Sequence, residues 1–255
     1  MYSKLKFDKR LRNGISDIAN RYIIGTGGRW EPAKPQGARA LPWIFTHQDT
    51  RKKFCHVWNN TYTLNFNHIP TNCRFACYKV VIKPRTCKET FEVHDIMLAM
   101  NHPGKVGMDL RDYTYGAWAG FLYCESVEQG REVYQRARAL IPEDIPVILK
   151  RGCTEMERLL PSNLWGALSK EDVEFEEQLN DIFSFDELSY MQADWLKNEI
   201  KERWIEHAIK IGDPTARETA EKYSDDPDIW QKLVVHSLTY HDVEPEEEEL
   251  QLKLL

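Results

Sequence analysis

The sequence predicts a mixed α/β fold: a central parallel or mixed sheet, followed by an acidic, all-helical C-terminal region. Three observations carry that prediction. Short runs rich in β-branched and aromatic residues, such as FACYKVVIK at 75–83, alternate with amphipathic stretches of helical period. Strand-like and helical segments succeed one another through 105–151, in the size range of a β-α-β unit. Beyond Pro161 the apolar positions recur at helical spacing and acidic residues dominate.

Taken in order, residues 9–22 suggest a short helix from Ile15 onward, and the glycine- and proline-rich stretch 25–42 reads as a loop. Gly25, Gly27 and Gly28 do not complete a phosphate-loop motif, because no GxxxxGK[ST] follows. Residues 54–66 read as a strand pair turning at Asn59 and Asn60. The run 75–83 is a strand ended by Pro84, and 89–100 is a helix ended by NHPG. Strands are expected at 105–111, 119–126 and 145–151. Between the last two lies a helix over 127–141, where Val133, Ala137, Leu140 and Ile141 fall on one face. After the glycine turn at 152, Thr154 and Glu157 have the spacing of a capping box, as do Ser184 and Glu187 before a long helix reaching Ile211. Asp226-Pro227 opens a last helix. The chain divides into a basic N-terminal segment with the α/β core (1–160), an acidic helical region (161–245) and a tail expected to be disordered (246–255).

The net charge of −6 conceals a gradient: +12 over residues 1–90, −3 over 91–160 and −15 over 161–255. A basic front suits a polyanion, and an acidic back suits solvent or a basic protein partner. No apolar run approaches the roughly 18–20 residues of a membrane span, and the first residues lack the apolar core of a secretory signal. The expectation is a cytoplasmic protein with no membrane contact.

Three groups of residues could carry chemistry. Cys55, Cys73, Cys77 and Cys87 are thiols that could hold zinc or an iron–sulfur cluster. The CxxxC of Cys73 and Cys77 resembles the first half of the CxxxCxxC motif of radical S-adenosylmethionine enzymes. Val80 stands where the third cysteine would be, so nothing of that family is carried over. The competing reading is that these cysteines are small buried hydrophobes.

The second group depends on strand direction. If the three central strands run parallel, their carboxyl ends form one rim, where open α/β sheets bind ligands. That rim would gather Asp109, Arg111 and Asp112, then Glu125 and Ser126, then Lys150, Arg151 and Cys153. Asp109 or Glu125 would serve as acid, base or metal ligand; Arg111, Lys150 and Arg151 as phosphate clamps; Cys153 as nucleophile or ligand. The third group is the basic front, where Arg51, Lys52, Lys53, Trp58, Arg74 and Tyr78-Lys79 mix cations with rings, as a single-stranded nucleic-acid surface does.

The leading expectation is therefore a protein that binds, and in the stronger form modifies, a phosphate-bearing substrate such as nucleic acid or a nucleotide. The alternative is a non-enzymatic interaction protein that uses its acidic helical half, with structural cysteines. A cysteine-cluster enzyme holding zinc or iron–sulfur is the third reading.

Overall fold

The computed structural model describes residues 22–24, 30–32, 42–47, 66–111, 113–182, 192–224 and 228–229. The expected strand pair at 54–66 lies outside these apart from Phe66. The expected helix of 9–22 also lies outside, except Tyr22, which opens a strand. The cap at Ser184, the helix start at Asp226-Pro227 and the tail 246–255 are likewise outside.

Seven strands occur among the described residues: β1 Tyr22–Ile24, β2 Trp30–Pro32, β3 Trp43–His47, β4 Tyr78–Ile82, β5 Gly104–Met108, β6 Trp118–Cys124 and β7 Val147–Arg151. The helices are α1 Thr71–Phe75, α2 Cys87–Ala99, α3 Val127–Leu140, α4 Thr154–Leu159, α5 Lys170–Ile182, α6 Asp194–Lys210 and α7 Ala216–Tyr223. β1 and β2 form a two-stranded antiparallel pair, with β2 inside the stretch 25–42 that the sequence suggested was only loop and β1 just before it. The other five strands make one sheet in the order β3-β5-β6-β4-β7, and every neighbouring pair is antiparallel.

This corrects the parallel or mixed sheet expected around 105–151. The strands and helix there are real, but β5 and β6 are joined by the short segment 109–117. That is less than the dozen or so residues a parallel crossover needs, so the two strands pair as an antiparallel neighbour couple. β6, α3 and β7 do form a crossover between strands of the same direction, with β4 inserted between them. β4, α2 and β5 form another, with β6 inserted. Two interleaved split β-α-β units result, carrying β3 as an extra edge strand.

Alternation along each strand sorts the two faces. Val80, Ile82, Val106, Met108, Trp118, Leu122 and Cys124 point into one core with Phe91, Val93 and Met97 of α2 and Val133 and Ala137 of α3. Side-chain oxygens of Thr86 and Ser126 cap these helices by accepting from the backbone N–H of Glu89 and Gln129, each at 3.2 Å. Glycines let α2 approach closely. A Cβ on Gly104 would lie 2.9 Å from Met97 Cε, and one on Gly120 would lie 2.9 Å from Met97 Sδ. The acidic helical region joins the same core: Trp204 of α6 packs edge-on to Phe91 at 5.4 Å and donates from Nε1 to the Pro42 carbonyl at 2.9 Å.

A sharp turn leads out of β7. Gly152 has φ of +68°, and a Cβ there would fall 2.3 Å from the Trp165 ring. Its N–H donates to the Cys77 carbonyl at 2.7 Å, continuing the β4–β7 ladder by one bond. Gly152→Ala therefore meets both a left-handed backbone and a ring with no room, and is expected to destabilise by ~2–4 kcal/mol. Urea unfolding monitored by tryptophan fluorescence checks this; a loss below ~0.5 kcal/mol would contradict the packing described.

Candidate functional site

The face of the sheet opposite α2 and α3 receives the alternate residues: Lys79 and Val81 from β4, Lys105 from β5, Phe121 and Tyr123 from β6, Ile148 and Lys150 from β7. Cross-strand register sets them in rows. Lys105, Phe121, Val81 and Ile148 lie abreast, and Tyr123, Lys79 and Lys150 form the next row. A cleft of about 200 Å³ opens here, lined by Lys79, Lys105, Arg111, Lys150, Phe121 and Tyr123, with Gly152 to Glu155 along one side.

The cations are held in different ways. Lys79 is only 9% exposed; its Nζ donates to Cys153 Sγ at 2.8 Å and sits 5.6 and 5.8 Å from the centres of Phe121 and Tyr123. Lys105 Nζ lies 4.1 Å from the Trp43 ring centre and 5.5 Å from that of Phe121. Burial, reinforced by the nearby charge of Lys79, lowers the Lys105 amine to about 8. Lys150 donates to Thr154 Oγ1 at 3.0 Å and pairs with Glu157. Arg111 clasps Asp109 through two 2.6 Å hydrogen bonds and also reaches Glu155.

Strand direction decides the fate of the expected rim. Cys124 and Arg151 both lie opposite Tyr78, so β6 and β7 end together, whereas β5 ends beside the start of β6 at the other end of the sheet. Asp109 is thus separated from Glu125 and Cys153, and the rim as a single edge does not exist. Arg111 rejoins the group because the segment after β5 carries it to Glu155 on α4.

Several expected roles change accordingly. Asp109 is 4% exposed; burial raises its carboxyl, but the hydrogen bonds and charge of Arg111 outweigh that and hold it below the ordinary range. It anchors Arg111 and does not line the cleft. Glu125 does not line the cleft either; its backbone N–H donates to Gln129 Oε1 at 2.7 Å at the start of α3. Arg151 turns away from the cleft, donating to the carbonyls of Arg74, Ser162 and Trp165. Thr154 is the first residue of α4 and Cys153 takes the cap position, so the capping box is replaced by the Glu157–Lys150 pair. Asp112, Arg51, Lys52, Lys53, Trp58 and Cys55 lie outside the described residues.

The remaining thiols of the expected metal set, Cys73, Cys77 and Cys87, are all buried, with Cys77 just before β4. Cys73 packs with Ile69, Cys153, Met156 and Trp165, while Cys87 packs in the main core, where burial and then Asp213 push its thiol up. Among the described residues, no three His, Cys, Asp or Glu side chains form a group able to hold a metal ion. No described helix is long and apolar enough to cross a membrane.

Sequence reasoning missed Lys105, Phe121 and Tyr123. A second depression of about 490 Å³ beside α6, lined by Met108, Glu199, Arg203, Glu206, His207 and Lys210, mixes acids with bases, and Arg203 is paired with Glu199 at 2.6 Å. In the cleft on the sheet, by contrast, cations outnumber acids and sit beside aromatic rings. No protein-family model, curated protein or solved structure matches this chain.

A lysine held near 8 against an ordinary 10.5 opposes folding while it is charged, and that penalty lifts as pH rises from 8 to 10.5. Lys105→Met is accordingly expected to stabilise the protein by ~1–2 kcal/mol at pH 7, with the gain fading above pH 8. Denaturant midpoints measured at several pH values check this; a gain that grows with pH would refute it.

Proposed function

We propose that this chain binds single-stranded nucleic acid on the cleft-bearing face of its sheet. The observation that carries the reading is the convergence of Lys79, Lys105, Arg111 and Lys150 around Phe121 and Tyr123. Cations satisfy phosphates, and rings give bases a sequence-tolerant stacking surface. Sheets of the same β-α-β-β-α-β order bind RNA in this manner, with aromatic residues of the central strands beneath the bases. The likeness is one of architecture alone.

Cleft size favours a chain over an enclosed small molecule. About 200 Å³ accommodates one nucleotide unit or less, and is smaller than the roughly 300–1,000 Å³ of a typical ligand pocket. A strand lying across the sheet would place one phosphate or base there and run on beyond it. The basic front of the sequence, +12 over residues 1–90, would extend the same attraction. Binding rather than turnover is the proposed activity, since Asp109 is committed to Arg111.

Fluorescence anisotropy with a labelled oligothymidylate of about fifteen nucleotides tests the proposal. Lys150→Glu should weaken binding by roughly tenfold and flatten its dependence on salt. Phe121→Ala should weaken it by roughly five- to tenfold, the order of one lost stacking contact. Affinity should also fall between pH 7 and 9 as Lys105 loses its proton. Arg111→Ala is the poorer probe, because it would strand Asp109 as a buried, unpaired carboxylate. Unchanged affinity in both Lys150→Glu and Phe121→Ala, each shown to be folded by circular dichroism, would reject the reading.

A further inference from the structure

The cleft also contains a pair of reactive side chains. Lys79 and Cys153 are 74 positions apart in sequence, yet Nζ stands 2.8 Å from Sγ. Both are largely buried, at 9% and 8% exposed, and both line the cleft, so a small oxidant can reach the sulfur from solvent. Each atom is held from its own side. β4 pairs along its whole length with β6 and β7, which places Lys79 in the middle of the sheet. Gly152 turns the chain against Trp165 and sets Cys153 at the start of α4. The other cleft cations have different company: Lys150 is engaged with Thr154 and Glu157, Arg111 with Asp109 and Glu155, and Lys105 lies against Trp43.

We infer that Lys79 and Cys153 form a covalent modification site, at which a peroxide drives formation of a nitrogen–sulfur link between the two side chains. In the first step the Cys153 thiol attacks hydrogen peroxide. The O–O bond breaks, one oxygen joins sulfur as a sulfenic acid, and the other leaves as water. In the second step Lys79, having given its ammonium proton to solvent, attacks the sulfur through its Nζ lone pair. The S–O bond breaks, hydroxide departs and takes up one of the two amine protons as water, and an S–N bond forms with the other proton kept on nitrogen. Thiol, amine and one peroxide become a sulfenamide and two waters; sulfur is oxidised by two electrons and peroxide is reduced by two. A reducing thiol reverses the link by attack at sulfur.

The link would remove the charge of Lys79 from the cleft and tie α4 to β4. Its effect on binding rests on the nucleic-acid reading; its formation does not. The full chain is treated with hydrogen peroxide, quenched, digested and mapped by tandem mass spectrometry. The expected product joins the Lys79 and Cys153 peptides with a loss of about 2 Da, disappears on reduction with dithiothreitol, and is absent from Lys79→Arg and Cys153→Ser. A link from Cys153 to Lys105 or Lys150, or oxidation of Cys153 to sulfinic acid with no link, would overturn the inference. Wild-type mapping alone decides between these outcomes, so the test survives a variant that fails to fold. Oligonucleotide affinity measured on the linked protein is expected to drop about fivefold. Linked protein that binds oligonucleotide as before would leave the modification site standing and count against the nucleic-acid reading.

Discussion

Strand β4 is hydrogen-bonded along both edges, and the rest of the molecule is arranged around that constraint. Tyr78 lies opposite Cys124 on one side and Arg151 on the other, and the register holds through Ile82. A strand with no free edge cannot slide, because a one-residue slip would exchange its faces. Val80 and Ile82 would leave the core, and Lys79 would enter it. Inserting β4 between β6 and β7 also explains why both crossovers are split, and why α2 and α3 share one face of the sheet.

With β4 fixed, the opposite face acquires its character by alternation. Lys79 is central and surrounded by β-structure, so it meets solvent only through the cleft. Its neighbours there include two rings and a sulfur. Lys105 is driven to the same solution by Trp43 and Phe121. Lys105, its amine lowered to about 8, opposes stability while charged, and that tension is common where a fold serves binding. Arg111 differs: its charge is balanced by Asp109 below and Glu155 beside it, so it contributes structure as well as charge.

Much of this was legible in the sequence, and what was not has physical causes. The element types from Tyr78 to Arg151 followed from β-branched runs, helical spacing and proline or glycine stops. Strand order did not, because pairing is non-local and no residue states its partner. One clue was present: the short segment 109–117 is an antiparallel connection by length. Lys150, Arg111 and Cys153 were singled out for a shared edge, and they do line one cleft, but for a different reason. Arg111 arrives by a folded-back segment, and Lys150 and Cys153 by the face of β7 and the turn after it. Arg151 shows the opposite outcome. Its sequence neighbourhood is as basic, yet its place on the other face of β7 sends it to backbone carbonyls. Lys79 beside Cys153 could not be read at all, since only the completed sheet brings them together.

Met97 occupies a slot made by two glycines on adjacent strands, its methyl against Gly104 and its sulfur against Gly120. Met97 and Gly120 therefore form one unit of inheritance. A larger residue at 120 needs a shorter side chain at 97, and a shorter residue at 97 leaves a void that growth at 120 can fill. Gly104 is fixed on its own account, because a Cβ there would also lie 2.7 Å from the Phe121 carbonyl oxygen, which no change at 97 relieves. Among descendants of this chain, substitutions at 97 and 120 should therefore travel together while 104 stays glycine, and the trio would mark kinship even where the surrounding surface has diverged beyond recognition.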